Sequence, residues 1–235
     1  MKSVSLLLGV SGLVLSGLTL AEVFVNVSPN RAQFFTGESV SLSCDGVQGS
    51  AEWTLKRGRY KKNETCGPVK KDFGLFDGSS CIMSNLSPES DSGLYWCEDG
   101  AGQKSPKVDI HVSDHVILEI PALPVMSGSD VTLRCRSRYE SYSVDFIWRE
   151  RVSGDKRELD YLPSTFTIVN VQRSDEGVYR CTATEIDMVM LSGESRLMVR
   201  DPAPATTAPP PPVSTSPPPP FHAAGRQPHP QETKH

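Results

Sequence analysis

Six cysteines, at positions 44, 66, 81, 97, 135 and 181, are the residues whose type and number point to chemistry. An even count behind a leader-like N-terminus implies disulfide formation in an oxidising compartment. Metal binding is not indicated: no C-x-x-C pair occurs, and His111, His115, His222, His229 and His235 do not cluster with cysteines. The chain also lacks a G-x-S-x-G elbow, an H-E-x-x-H pair and a glycine-rich phosphate loop. Glu89, Asp91 and Asp175 belong to turns, where carboxylates serve the backbone. The expectation is a protein that is not an enzyme and carries no cofactor and no metal.

The elements that position the cysteines are legible as a repeat. Asp91-Ser92-Gly93-Leu94-Tyr95-Trp96-Cys97 recurs as Asp175-Glu176-Gly177-Val178-Tyr179-Arg180-Cys181, giving D-x-G-x-Y-x-C twice. In a β-sandwich this is the entry to strand F. The tyrosine hydroxyl bonds back to the turn, and the cysteine two residues on points inward to meet strand B. Upstream, Val40-x-Leu42-x-Cys44 and Val131-x-Leu133-x-Cys135 alternate with period two, as half-buried B strands do. Pairing B with F gives Cys44–Cys97 and Cys135–Cys181, and leaves Cys66–Cys81 as a third bridge. The 53- and 46-residue separations suit seven-stranded sandwiches. Trp53 and Trp148 are the strand C candidates for packing on the disulfides, so Trp53, Tyr95, Trp148 and Tyr179 form the expected core. Phe146 shares a face with Trp148 and competes for its role. The fold class is all-β: two tandem immunoglobulin-like domains of C2/I type, at 22–113 and 114–200. Val108, Ile110 and Val112 close the first, and Val116, Leu118 and Ile120 open the second. Only Ser113-Asp114-His115 lies between them, too short for independent motion.

The ends of the chain speak to compartment. Lys2 followed by an uncharged run to Ala21 reads as a secretory signal peptide, 1–21. No second apolar run of spanning length follows, so no transmembrane segment is expected beyond it. Sequons at Asn26, Asn63 and Asn85 agree with secretion. Pro29 and Pro88 follow the first and third, which leaves Asn63 as the best acceptor. Residues 201–235 hold twelve prolines and almost no large apolar side chain, the composition of a disordered stalk or tail. A formal net charge of -4 with no basic stripe excludes nucleic acid as a partner.

Val27-Ser28-Pro29-x-x-x-Gln33-Phe34-Phe35-x-Gly37-Glu38-Ser39-Val40-x-Leu42-x-Cys44 resembles the first domain of Fc receptor-like proteins. So does Cys66-Gly67 … Gly78-Ser79-Ser80-Cys81 … Asp91-Ser92-Gly93-x-Tyr95-Trp96-Cys97. Leu123-Pro124-Val125-x-x-Gly128-x-Asp130-Val131-Thr132-Leu133-x-Cys135 and Arg173-Ser174-Asp175-Glu176-Gly177-x-Tyr179-x-Cys181 are similar to the second. The resemblance, to the leukocyte immunoglobulin Fc receptor family, implies an immune receptor with a protein ligand, immunoglobulin Fc in some members. Here it would be a soluble or truncated form, secreted, acting as a decoy, with a membrane-anchored isoform at the cell surface beside it. The alternative is an adhesion protein that recognises another cell-surface protein. No small-molecule substrate is implied.

In antibody-binding members two tryptophans of the junction and second domain clamp an antibody proline. Here the junction position falls on His115, and the B–C loop carries Arg138, Tyr139 and Tyr142 with no tryptophan. Tyrosine also stacks on proline. Between strands F and G, the segment Glu185–Gly193 is rich in apolar residues. Either F and G run long with Ile186, Met188 and Met190 alternating inward, or Met188 and Met190 form an exposed contact surface. The candidate ligand residues are therefore His115, Arg138, Tyr139, Tyr142, Met188 and Met190.

Overall fold

The computed structural model describes residues 23–46, 52–59, 62–67, 73–153 and 156–202. The expected signal peptide at 1–21 and the proline-rich segment from 203 onward lie outside these residues. Nine strands build the first sandwich: β1 (Phe24–Ser28), β2 (Gln33–Phe35), β3 (Val40–Asp45), β4 (Trp53–Arg59), β5 (Lys62–Thr65), β6 (Leu75–Phe76), β7 (Cys81–Met83), β8 (Gly93–Asp99) and β9 (Val108–Ser113). They form sheets of order β1-β3-β7-β6 and β2-β9-β8-β4-β5. The second sandwich has β10 (Val116–Glu119), β11 (Val125–Met126), β12 (Val131–Ser137), β13 (Ser143–Ser153), β14 (Lys156–Pro163), β15 (Thr165–Ile168), β16 (Gly177–Glu185), β17 (Met188–Leu191), β18 (Ser195–Leu197) and β19 (Val199–Arg200). Its sheets are β10-β12-β15 and β14-β13-β16-β17, with β18 also on β16 and β11 paired to β19.

Among the described residues both sandwiches already exceed the seven strands expected. The opening strand of each is split: β1 pairs antiparallel to β3 and β2 parallel to β9, and β10 and β11 divide likewise. Prolines cause the split. A proline donates no ladder hydrogen bond, so Pro29 in the first sandwich, and Pro121 and Pro124 in the second, release the chain from one sheet to join the other. Strands β5 and β14 add a C′ position beside strand C in each.

The disulfides are Cys44–Cys97, Cys66–Cys81 and Cys135–Cys181. Gly74 serves the second bridge: its φ is +57, and a Cβ there would stand 2.5 Å from Cys81 Sγ. Tyr95 and Tyr179 are fully buried, and each hydroxyl donates to the carbonyl of Asp91 or Asp175 at 2.7 Å. Burial pushes the Tyr95 phenol up to about 12.

Two of the expected core rings behave differently. Trp53 is half-buried and packs on the core, but Leu55 is the residue in register with Cys97. Trp148 is not a core residue. Ile147, fully buried, stands in register with Cys181, while Trp148 pairs across to Arg180, whose guanidinium lies 5.6 Å from its ring. The reason is a β-bulge between Val144 and Ile147, which shifts the parity of the strand. Phe146 is turned out with Trp148 and meets Tyr161 edge-on at 5.1 Å.

The two sandwiches share one hydrophobic core, running from Val23 through Phe34, Ile110, Val116, Leu118 and Ile120 to Val199. At its centre is Gln33, fully buried on β2. Its amide nitrogen donates to the Gly193 carbonyl and the Ser195 hydroxyl, both at 2.8 Å, and its oxygen accepts from Leu118 N at 2.8 Å. Around it, Ala32 N donates to Ile120 O, and Asn30 Oδ1 accepts from the Ala122 and Leu123 amides. Arg31 reaches Glu38 and Glu119, and Arg136 joins Glu119. His111 lies against Gly193 so closely that no side chain fits there.

Replacing Gln33 with Leu should leave the buried Leu118 amide without its partner, while the Gly193 carbonyl keeps the Ser192 hydroxyl. Such an orphaned group costs about 1–3 kcal/mol; a thermal melt should show a clear drop in Tm, and an unchanged melt would refute the role. Burial also holds the His111 imidazole below its ordinary 6.5, opposed by Asp109. Neutral His111 therefore contributes stability above pH 6.5 that is lost as pH falls through the lower folded value. In denaturant titrations, His111→Gln should flatten that acid-side loss.

Candidate ligand-binding end of the second sandwich

Three chain segments meet where the first sandwich joins the second. The junction contributes His115, the loop after β12 contributes Arg138, Tyr139 and Tyr142, and β16 and β17 contribute their connecting turn. They meet because of register. Val116 pairs with Ser137, so His115 stands beside Arg138, and Arg138 N donates to the His115 carbonyl at 2.9 Å. On the other side Ser143 pairs with Thr184, which brings Tyr142 next to Glu185 and the turn.

The rings form a cluster. Centroid separations are 6.1 Å for His115–Tyr139, 6.2 Å for His115–Tyr142 and 5.8 Å for Tyr139–Tyr142. His115 and Tyr139 are exposed and Tyr142 is half-buried. Desolvation, followed by its hydrogen bond to the Glu185 carboxylate, pushes the Tyr142 phenol above its ordinary value. Arg138 lies beside the rings but its guanidinium donates to the Thr36 carbonyl of the first sandwich. Thr36 in turn donates its hydroxyl to Asp114. The loop and the junction are thus tied to the same residue of the neighbouring sandwich.

Strands β16 and β17 run long and form a hairpin in which Glu185 pairs with Met188 across Ile186-Asp187. The two candidate methionines part company here. Met188 is 54% exposed, near the tip. Met190 is in register with the fully buried Ala183 and packs against the core; Met188 lies on the same face of β17, but at the tip of the hairpin. Ile186, which the alternation would have sent inward, is 92% exposed at the turn with φ +54. A β-branched residue in the left-handed region costs on the order of 1 kcal/mol. Val189 and Leu191 are exposed as well. The long-strand alternative for Glu185–Gly193 thus holds for the backbone, but Ile-Asp is not a usual two-residue turn, so the sequence carries no signal for where the hairpin reverses.

The sequons Asn63 and Asn85 are exposed and Asn26 is half-buried, all on the first sandwich. Among the described residues no group of three or more His, Cys, Asp or Glu could hold a metal, and no helix is long and apolar enough to cross a membrane. What the end of the second sandwich offers is an aromatic and aliphatic surface held rigidly by backbone and side-chain hydrogen bonds, which suits binding a protein.

Comparison with known proteins agrees with this architecture. The family model described as immunoglobulin domain matches residues 115–185. Human Fc receptor-like B is 25% identical over 171 residues, covering 71% of this chain and 36% of that protein. Mouse Fc receptor-like protein 5 is 27% identical over 166 residues, 68% of this chain and 25% of that protein. Mouse low affinity immunoglobulin gamma Fc region receptor II is 25% identical over 169 residues, 69% of this chain and 46% of that protein. The chain thus spans less than half the length of each.

The strain at the turn is testable. Ile186→Asn places a residue that tolerates the left-handed region at the same exposed position, and should raise stability by about 1 kcal/mol in chemical denaturation. A loss of stability would show that the Ile186 side chain supports the fold.

Proposed function

We propose that this chain, an immunoglobulin-superfamily protein related to the Fc receptor-like receptors, binds immunoglobulin Fc through the end of its second sandwich. Its contact residues are His115, Tyr139 and Tyr142 with the hairpin tip at Ile186 and Met188. The observation that carries this reading is the ring cluster: three aromatic side chains within about 6 Å of one another, presented by loops fixed to the neighbouring sandwich. Such rigid, amphipathic rings supply large contact area at small entropic cost and dominate protein recognition. The printed name of one relative, low affinity immunoglobulin gamma Fc region receptor II, supplies the ligand class. With tyrosines in place of the family's tryptophans, the stacking area on an antibody proline is smaller, and weak binding follows. Secretion and a decoy role are part of the proposal, resting on the leader-like residues 1–21.

Surface plasmon resonance of the secreted chain over immobilised immunoglobulin G Fc tests it. The wild-type chain should bind in the micromolar range, and Tyr139→Ala with His115→Ala, both at exposed rings, should weaken binding by about tenfold or more, with Tm nearly unchanged. Absence of binding by the wild-type chain at roughly 100 μM would overturn the Fc reading.

A further inference from the structure

We propose that the second sandwich binds an extended peptide segment of a partner protein in the cleft beside β15, where the segment adds a strand to β15 and lays an aromatic ring on Arg149. The first sandwich holds the template. There the outer edge of β7 is covered by β6, in antiparallel register Leu75↔Ile82 and Phe76↔Cys81. Just before β6, Phe73 enters the sandwich and is buried. The Arg57 guanidinium carbon lies 4.6 Å from its ring centroid, and Tyr95 meets the ring edge-on at 5.6 Å.

The second sandwich has the rest of this arrangement without the strand. Val131 and Leu133 pair with Ile168 and Phe166 as Val40 and Leu42 pair with Met83 and Cys81, so Thr167 stands where Ile82 does. Arg149, opposite Tyr179, repeats Arg57, opposite Tyr95. Yet among the described residues β15 pairs with β12 alone. The reason is the length of chain at hand: the segment between Thr65 and Cys81 supplies β6, whereas only Ser164 separates Pro163 from Thr165. What remains is a cleft of about 320 Å³, lined by Arg149, Leu162, Phe166, Val169 and Tyr179 with their neighbours. Val169 is 70% exposed. The Arg149 side chain is 14% exposed, where that of Arg57 is 3% exposed.

Two features of the cleft define the ligand. The first is its backbone edge. Cys135 N donates to Ser164 O, and the alternation of an antiparallel ladder then commits Phe166 and Ile168 to β12. The N–H and C=O groups of Thr165 and Thr167 face the open edge, as those of Ile82 face Leu75 in the first sandwich. Such a row of groups takes an extended backbone. The second feature is Arg149. Its N–H groups are held by Asp160, Asp175 and the Tyr179 hydroxyl. Those of Arg57 are held likewise by Glu64, the Ser90 carbonyl and Asp91, and Arg57 still carries Phe73. A guanidinium bound at its edges keeps a flat face for an aromatic ring. The ligand is therefore a strand that bears an aromatic side chain and runs antiparallel to β15, as β6 runs to β7.

Amide NMR of the whole chain, titrated with a synthetic peptide copying Asp72-Phe73-Gly74-Leu75-Phe76-Asp77, tests this. The peptide should bind saturably, with a Kd on the order of 100 μM, and shift the amides of Thr165 and Thr167. The same peptide with Phe73→Ala, or N-methylated at Leu75, should bind about tenfold more weakly or worse, and neither change touches the folding of the protein. In the protein, Thr167→Pro removes an N–H that takes no part in the ladder and should abolish peptide binding while circular dichroism stays that of wild type. If that variant does not fold, the two peptide changes decide. Tyr139→Ala with His115→Ala should leave the peptide affinity unchanged, so this proposal and the Fc reading stand or fall separately. No saturation by about 2 mM, equal binding of the altered peptides, or shifts confined to other strands would each overturn it.

Discussion

The buried amide of Gln33 is the constraint on which the arrangement of the two sandwiches depends. A primary amide has two donors and an acceptor with two lone pairs, and burying it without partners is costly. Here it meets the Gly193 carbonyl, the Ser195 hydroxyl and the Leu118 amide at once. Those partners lie on separate strands or loops of the second sandwich, so satisfying one side chain sets both the distance and the orientation of β2 relative to β10 and β18. The apolar contacts around it exclude water but are not directional, and the hydrogen bonds select one arrangement among those the core would allow.

The same region supports the candidate binding end. Thr36 accepts from Arg138 and donates to Asp114, and Gly193 lies between Gln33 and His111. The B–C loop, the junction and the return from the hairpin are therefore each anchored to the first sandwich. Loops that would otherwise be mobile are held before any partner arrives, which reduces the ordering cost of binding. The first sandwich acts as a brace for a surface it does not itself carry.

Each sandwich also repeats an ion pair at the strand F corner, buried in the first and half-buried in the second. Arg57, 3% exposed, donates to Glu64, to the Ser90 carbonyl and to Asp91; Arg149 donates to Asp160, Asp175 and the Tyr179 hydroxyl. In register these arginines stand opposite Tyr95 and Tyr179. A buried guanidinium is tolerated only with such a set of partners. The repeat is hidden in the sequence because the arginines are found by counting from Leu55 and Ile147, and not from the tryptophans that first attract attention.

From the sequence alone came the all-β class, the two-fold D-x-G-x-Y-x-C repeat and the short junction. These rest on local rules: period-two alternation, turn residues and inward cysteines are written in neighbouring residues. The ring cluster was legible in part, since His115, Tyr139 and Tyr142 were chosen for type and expected loop. Which side chains face outward was decided by tertiary structure. A bulge reversed the parity of β13 and turned Trp148 out; pairing with the buried Ala183 took Met190 in, while the turn left Ile186 and Met188 in solvent. Burial on a strand depends on a one-residue choice of register, and that choice is made by the partner strand. The same holds for Gln33, an ordinary polar residue in the sequence, whose role exists only because a loop 160 residues away in the chain returns to meet it.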